Sequence, residues 1–355
     1  MARQPVAVGQ HRVRLAEVAA RAVTSSPIAS RIINDDPTLR VRPELRRRVL
    51  RAARELGYRP NELASALRRG RTGALAFVVP TLTNPTFARI LRRAVVEARE
   101  SGYAVLLVED SDEAPDDSVL QLVSSGRIDG LLIASARPGI QLLAKLRTLE
   151  IPHVFVNRGV DGSGRNVVMR DADASQRAVE HLAALGHRRI AHFAAPLALD
   201  PARRRVAGTL AAAARLGLPE PVVMAQERLE DGGDALATAR RLTHAHPEIT
   251  AVYADSPMLA AAVLRALNEQ GRAVPHDCSV MAYTDTPMAA LCTPPLTVVE
   301  MPLEALGSAA VLSLVRQLEG HPPADLVVHL APLVLQRSST AAAPVAPAVP
   351  RTRNR

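Results

Sequence analysis

Tryptophan is absent from this 355-residue sequence, and all aromatic residues together make up only 2% of it. Aliphatic side chains must therefore fill any interior, and a hydrophobic content of 48% supplies enough of them. Cysteine is nearly absent as well. Cys278 and Cys292 are the only two, which leaves no disulfide framework and no metal-ligand spacing, and suits a reducing compartment. No apolar run approaches the roughly twenty residues needed to span a bilayer, and the N-terminal stretch has no apolar segment typical of a secretory signal. A cytoplasmic protein without membrane contact is the expectation. Also missing are a Gly-x-Ser-x-Gly elbow, a phosphate-cradling Gly-Lys loop and any His/Cys cluster. His187 and His192 have no partner at metal spacing and read as structural. Asp171-x-Asp173-x-Ser175 superficially suggests a calcium loop, but it lacks the glycine at the sixth position and has Leu182 at the twelfth. Neither an enzyme nor a metal or other cofactor is expected.

Lysine occurs once, at Lys145, so the positive charge is almost entirely arginine. Its placement is informative. Residues 1–73 carry 16 Arg and 6 acids, a net of +10, whereas the remainder carries 28 Lys and Arg against 29 acids, a net of −1. A composition bias would enrich arginine everywhere, so the asymmetry marks the first fifth of the chain as a polyanion-binding module.

The length exceeds what one compact core supports and predicts two or three domains. Within the basic segment the pattern predicts three short helices. The first covers roughly Leu15–Ala22, with Leu15, Val18, Ala19 and Ala22 at helical spacing. The second begins at Ser25-Ser26-Pro27, a serine cap followed by a proline that the first turn tolerates. The third runs from Pro43 to just before Gly57. Two short helices joined by a tight turn, closed by a third, form a helix-turn-helix candidate, whose second helix enters the major groove. Ser25, Ser26 and Ser30 are small enough to let it approach closely, and Arg31 is the side chain best suited to bidentate contact with guanine. On the third helix, Arg46, Arg47, Arg48, Arg51 and Arg54 serve equally well as phosphate contacts or as a solvated face.

From Ala74 onward, apolar runs (Ala74–Val79, Tyr103–Val108, Gly130–Ala134, His153–Val156, Arg189–Ala194, Ala251–Tyr253, Ser279–Tyr283) alternate with amphipathic stretches of helix length. That alternation predicts α/β architecture on parallel sheet, with too many strands for one small sheet and hence two similar lobes. Residues from about Ala341 read as a disordered Ala/Pro tail.

The stretches Val13–Ala22 and Ser30–Asn34, and especially Val49–Asn61 followed by Leu67-Arg-Arg-Gly-Arg-Thr72, resemble the headpiece of the lactose-repressor family. The resemblance continues to about Ser338 through Asn84-Pro-Thr-Phe87, Leu185-Gly-His-Arg-Arg-Ile-Ala191, Arg203-Arg-Arg-Val-Ala-Gly208 and Pro294-Pro-Leu-Thr297. It implies a tail at 1–11, a helix-turn-helix headpiece at 12–59, a hinge helix and linker at 60–72, and a two-lobed, periplasmic-binding-protein-like core at 73–340, followed by a disordered tail at 341–355. The implied lobes are 73–164 plus 296–322 and 165–295 plus 323–340. DNA contacts are implied for Arg14, Ser25, Ser26, Pro27, Ser30, Arg31 and Asn34, and for Tyr58, Asn61, Ala64, Leu67 and Arg68, with Leu67 a wedge between base steps. An effector is implied to meet Phe87, Asn157, Arg158, Asp171, Arg205, Ser256 and Thr284, with Arg205 gripping it.

The chain departs from the family pattern at the turn, where Val23-Thr24 replaces Gly-Val, and at Thr284, where an aspartate is common. Asp171 serves equally well as a helix N-cap. The implied function is a homodimeric regulator, a repressor, that binds a near-palindromic double-stranded operator and responds to a sugar or related polar metabolite. A family-like regulator without ligand response and a solute-binding protein without a DNA role stay open as alternatives.

Overall fold

The computed structural model describes residues 13–58, 71–109, 117–134, 144, 146–227 and 232–344. Contacts divide the chain into two compact units, one up to Thr72 and the other from Gly73.

In the first unit α1 (Leu15–Arg21), α2 (Ser26–Ile33) and α3 (Pro43–Glu55) pack around Val18, Ala19, Ala29, Ile32, Val49 and Ala52, all buried. Val18 and Ala19 lie on the apolar face predicted by helical spacing, and the other four recur at helical spacing on α2 and α3.

The second unit holds two six-stranded sheets. Lobe one is built on β1 (Ala74–Val79), α4 (Pro85–Glu100), β2 (Ala104–Glu109), α5 (Asp117–Ser124), β3 (Gly130–Ile133), β4 (His153–Val156) and β5 (Asn166–Val168). Lobe two follows with α6 (Asp171–Ala184), β6 (Ile190–Ala194), α7 (Asp200–Arg215), β7 (Val222–Ala225), α8 (Gly232–Ala245), β8 (Ala251–Ala254) and α9 (Pro257–Glu269). It is completed by β9 (Ser279–Tyr283), α10 (Pro287–Leu291) and β10 (Thr297–Glu300). The chain then supplies α11 (Leu303–Leu318) and β11 (Leu326–Val327) to lobe one and β12 (Leu333–Leu335) to lobe two.

The strand orders are β11-β5-β4-β3-β1-β2 and β12-β10-β9-β8-β6-β7. All pairings are parallel except β12 with β10. Central strands are buried along their whole length, as parallel sheets covered on both faces require.

Three lobe boundaries and the start of the tail differ from the sequence expectation. Residues 166–168 and 326–327 pair in the first sheet, and 297–300 pair in the second, so the lobe exchanges fall just after β5, β10 and β11. The short strands carry the crossovers, and their length hides them from hydrophobic patterning. Nor does the tail begin at Ala341. The Ala341 N–H donates to Ser279 Oγ at 3.1 Å and the Ala343 N–H to the Leu185 carbonyl at 2.8 Å, which holds this segment on lobe two.

Candidate functional site: a helix-turn-helix face and an interlobe cleft

In the headpiece, the turn between α1 and α2 places Val23 at φ +52° with its side chain 78% exposed. A β-branched residue is a poor occupant of the left-handed region, yet the turn adopts that conformation here. The Val23 and Thr24 N–H groups close it on the Ala20 and Ala19 carbonyls at 3.1 and 2.9 Å. Ser25 then takes the extended N-cap conformation and α2 starts with Pro27 in its first turn.

Ser25, Pro27, Arg31 and Asn34 are exposed and Ser26 is half-buried. Ser30 is a correction: it is buried against the headpiece core, and its carbonyl accepts from Asn34 Nδ2 at 2.7 Å. Burial turns it away from any approaching groove.

Arg31 donates from Nε to Asp36 at 2.7 Å and from Nη2 to Thr38 at 2.9 Å, which leaves fewer donors for a base edge than the sequence suggests. Hydrogen bonds from Arg31 and Thr38 hold the Asp36 carboxyl at about 2, from an ordinary 3.8. On α3, Arg46 pairs with Asp35, Arg47 with Glu44, and Arg54 with the Leu50 carbonyl. Arg14 is exposed, and its N–H donates to Glu17. Tyr58 is half-buried against the headpiece core. Asn61, Ala64, Leu67 and Arg68 lie outside the described residues.

The second site is a cleft at the carboxyl ends of the strands of both sheets. Lobe one contributes Phe87, Asn157 and Arg158, and lobe two contributes Arg205, Ser256 and, unforeseen from the sequence, Asp255 and Tyr283. Phe87 is set by the N-terminus of α4, where Asn84 Oδ1 accepts from the Thr86 N–H at 3.0 Å. Ser256 caps α9 by accepting from the Leu259 N–H at 3.2 Å.

Asn157 and Thr284 stand at matching places in the two lobes, immediately after β4 and β9. They take φ values of +60° and +64°, with their N–H groups on the Val167 and Val299 carbonyls. Such backbone conformations cost about 1–3 kcal/mol and persist where the surroundings hold them in place. Thr284 itself is buried and lies outside the cleft lining, a correction to its expected role.

Asp171 is a second correction. It is the first residue of α6 rather than its cap, fully buried and absent from the lining. The Tyr283 hydroxyl donates to it at 2.6 Å and the Arg204 guanidinium pairs with it at 2.6 Å. Burial pushes the Asp171 carboxyl upward, while Arg204, Arg205 and Tyr283 pull it back.

Asp171 thus acts behind Arg205, whose guanidinium lies over the Tyr283 ring at 4.3 Å and whose Nε stands 3.0 Å from Asp255. Burial penalises the Arg205 cation. Asp255 first, then Tyr283 and Asp171, outweigh that penalty and hold it charged. Asp255 also accepts from His192 Nε2 at 2.9 Å and from the Ala195 N–H at 2.9 Å. Burial opposes its charge, but Arg205 and His192 hold its carboxyl below the usual range. His187 is bonded to Thr250, Ser279 and Ala341, a structural role like that expected.

The lobes are tied across the cleft. Asp200 accepts the Gly159 N–H at 2.7 Å, Arg204 donates to the Met169 carbonyl at 2.9 Å, and Arg89 donates to the Asp285 carbonyl at 2.6 Å.

No helix among the described residues is long and apolar enough to cross a membrane. Among those residues no group of three or more His, Cys, Asp or Glu is placed to hold a metal ion.

Comparison with known proteins bears on the two units of the chain. Residues 14–61 match the family described as bacterial regulatory proteins, lacI family, and residues 179–340 match a periplasmic binding protein-like domain. The HTH-type transcriptional regulator MalR of Streptomyces coelicolor is 31% identical over 348 residues, which cover 93% of this chain and 97% of the relative. The ribose operon repressor of Halalkalibacterium halodurans is 27% identical over 307 residues, covering 86% of this chain and 90% of the relative. Among solved structures, a complex of the transcriptional regulator CelR with cellobiose matches with a TM-score of 0.70 and 28% identity, covering 92% of this chain and 100% of that one. The chain belongs to the lacI family of bacterial regulatory proteins.

Proposed function

We propose that this chain is a cytoplasmic, non-enzymatic transcriptional repressor. It works as a homodimer on a near-palindromic operator, and a small polar, sugar-like effector bound between the lobes modulates its affinity. The observation that carries the reading is the compact basic headpiece, where α2 and its two caps expose Ser25, Pro27, Arg31 and Asn34 on a helix-turn-helix unit. The relatives named as repressors and the neighbour solved with cellobiose support it.

Two headpieces related by a twofold axis read the two half-sites of a palindrome. Arg14 and Tyr58 flank α2, and Asn61, Ala64, Leu67 and Arg68 are proposed to extend the contact into the minor groove. For the effector to matter it must bind one arrangement of the lobes better than the other, with a coupling of roughly 1–3 kcal/mol. Phe87, Asn157, Arg158, Arg205 and Ser256 are proposed as its direct contacts, with Asp171 and Thr284 supporting them from behind.

Fluorescence anisotropy with operator DNA across a salt series tests the reading. Affinity should fall steeply as salt rises, because phosphate contacts release counterions. Affinity that does not change with salt rules out the phosphate-driven mode.

A further inference from the structure

Arg31 is the only charged side chain on α2, and the loop after the helix closes on it. The Asp36 N–H donates to the Arg31 carbonyl at 3.0 Å, which turns the chain back along the helix end. Pro37 then limits the backbone between Asp36 and Thr38. Here the Asp36 carboxylate divides its two oxygens. Oδ1 accepts from the Thr38 N–H at 2.8 Å and from the Thr38 hydroxyl at 2.7 Å, an Asx turn that holds the carboxylate still. Oδ2 accepts from Arg31 Nε at 2.7 Å. The Thr38 oxygen, its own proton donated to Asp36, accepts from Arg31 Nη2 at 2.9 Å. Three side chains thus close a ring of hydrogen bonds in which each donor meets an acceptor.

The ring grips the guanidinium along one edge only. Nε and the adjacent hydrogen of Nη2 are engaged, whereas Nη1 and the outer hydrogen of Nη2 meet no group among the described residues. Those outer hydrogens form a planar fork at the far end of the side chain, the shape that pairs with O6 and N7 of a guanine. Asp36 therefore acts on DNA in two opposed ways. Its charge repels phosphate, and its grip removes rotamer freedom that Arg31 would otherwise lose on docking.

We propose that Asp36 and Thr38 are positioning residues for Arg31. They set the plane of the guanidinium so that its free end reads one guanine in each half-site, and they supply base discrimination rather than attraction. The inference rests on the headpiece binding DNA as proposed above. It explains why an acid sits beside the exposed arginine of α2 in a module whose net charge is strongly positive.

The test selects bound duplexes from a randomised DNA library with the full-length protein, then measures anisotropy on the enriched duplex, its single-base variants and a scrambled duplex. The parent should fix a guanine in each half-site with a preference of about tenfold or more, and Arg31→Ala should erase it. Asp36→Asn keeps the shape of the side chain but has one acceptor oxygen where the ring uses two. It should cut the guanine preference to about threefold or less, yet bind the scrambled duplex at least as tightly as the parent, because a negative charge is gone. Thr38→Val should lower the same preference and leave the scrambled duplex unchanged. A merely structural role would weaken both duplexes together, and that result overturns the inference. An unchanged guanine preference in Asp36→Asn overturns it as well, as does a guanine still preferred by Arg31→Ala. These three results leave the DNA-binding reading standing. A parent protein that enriches no duplex overturns that reading and the inference with it.

Discussion

Val23 sits at φ +52° with most of its side chain in solvent, so its branched Cβ is strained without the compensation of core packing. Left-handed backbone costs a non-glycine residue roughly 1–2 kcal/mol, and glycine's extra unfolded-state entropy takes back part of any gain. Val23→Gly should therefore stabilise the headpiece by about 1 kcal/mol, read as a shift in its chemical-denaturation midpoint; a destabilised variant would mean that the turn needs the valine side chain. Arg31 shows a different limit of reading residues singly. Its composition and position suggest base contact, but the structure commits two of its donors to Asp36 and Thr38, and only the loop after α2 brings those partners near. Asp255 escaped notice for the same reason. It is adjacent in sequence to Ser256, yet its importance depends on β8 lying beside β6, which brings His192 and the Ala195 N–H to it from about sixty residues away. Arg205 and Phe87 were legible because short motifs carry them.

Helix packing explains the glycine that ends the Arg-Arg-Arg-Val-Ala-Gly stretch. A Cβ built on Gly208 of α7 would stand 2.2 Å from the Ala172 carbonyl oxygen of α6, and one built on Gly307 of α11 would stand 2.3 Å from the Ile90 oxygen of α4. In each lobe two helices cross so closely that only hydrogen fits. Gly208→Ala must separate α6 from α7 and should cost roughly 1–3 kcal/mol, as overpacking does. Thermal unfolding checks this, and a variant as stable as the parent would show that the helices part freely. Elements of this kind were readable where burial is complete on both faces: β1, β4 and β9 are continuous apolar runs with the predicted limits. The strands that escaped, β5, β7, β10, β11 and β12, are short and none is buried along its whole length, so none reads as an unbroken apolar run. α8 escaped because its inward face is largely alanine and threonine, a weak apolar signal.

Across the core, lobes of the same strand order are joined at three exchanges and bridged over the cleft by Asp200 to Gly159 and by Arg89 to Asp285. The three exchanges permit rotation of one lobe on the other, and the bridges oppose it. Removing both bridges with Asp200→Ala and Arg89→Ala should shift the population toward a wider cleft, seen as a larger radius of gyration in X-ray scattering with unchanged circular dichroism. An identical scattering curve would show that apolar contacts alone hold the lobes together. The exchanges have a further consequence for how the molecule is made. Lobe one begins at Ala74 but lacks α11 and β11 until residue 327, and lobe two lacks β12 until residue 335. During synthesis from the N-terminus, the headpiece precedes the core and can fold ahead of it, whereas β5 and β10 lack their outer partners until β11 and β12 have been made. Until then each of those two strands offers a row of unpaired backbone groups to any other chain nearby, and the late strands must win that place back.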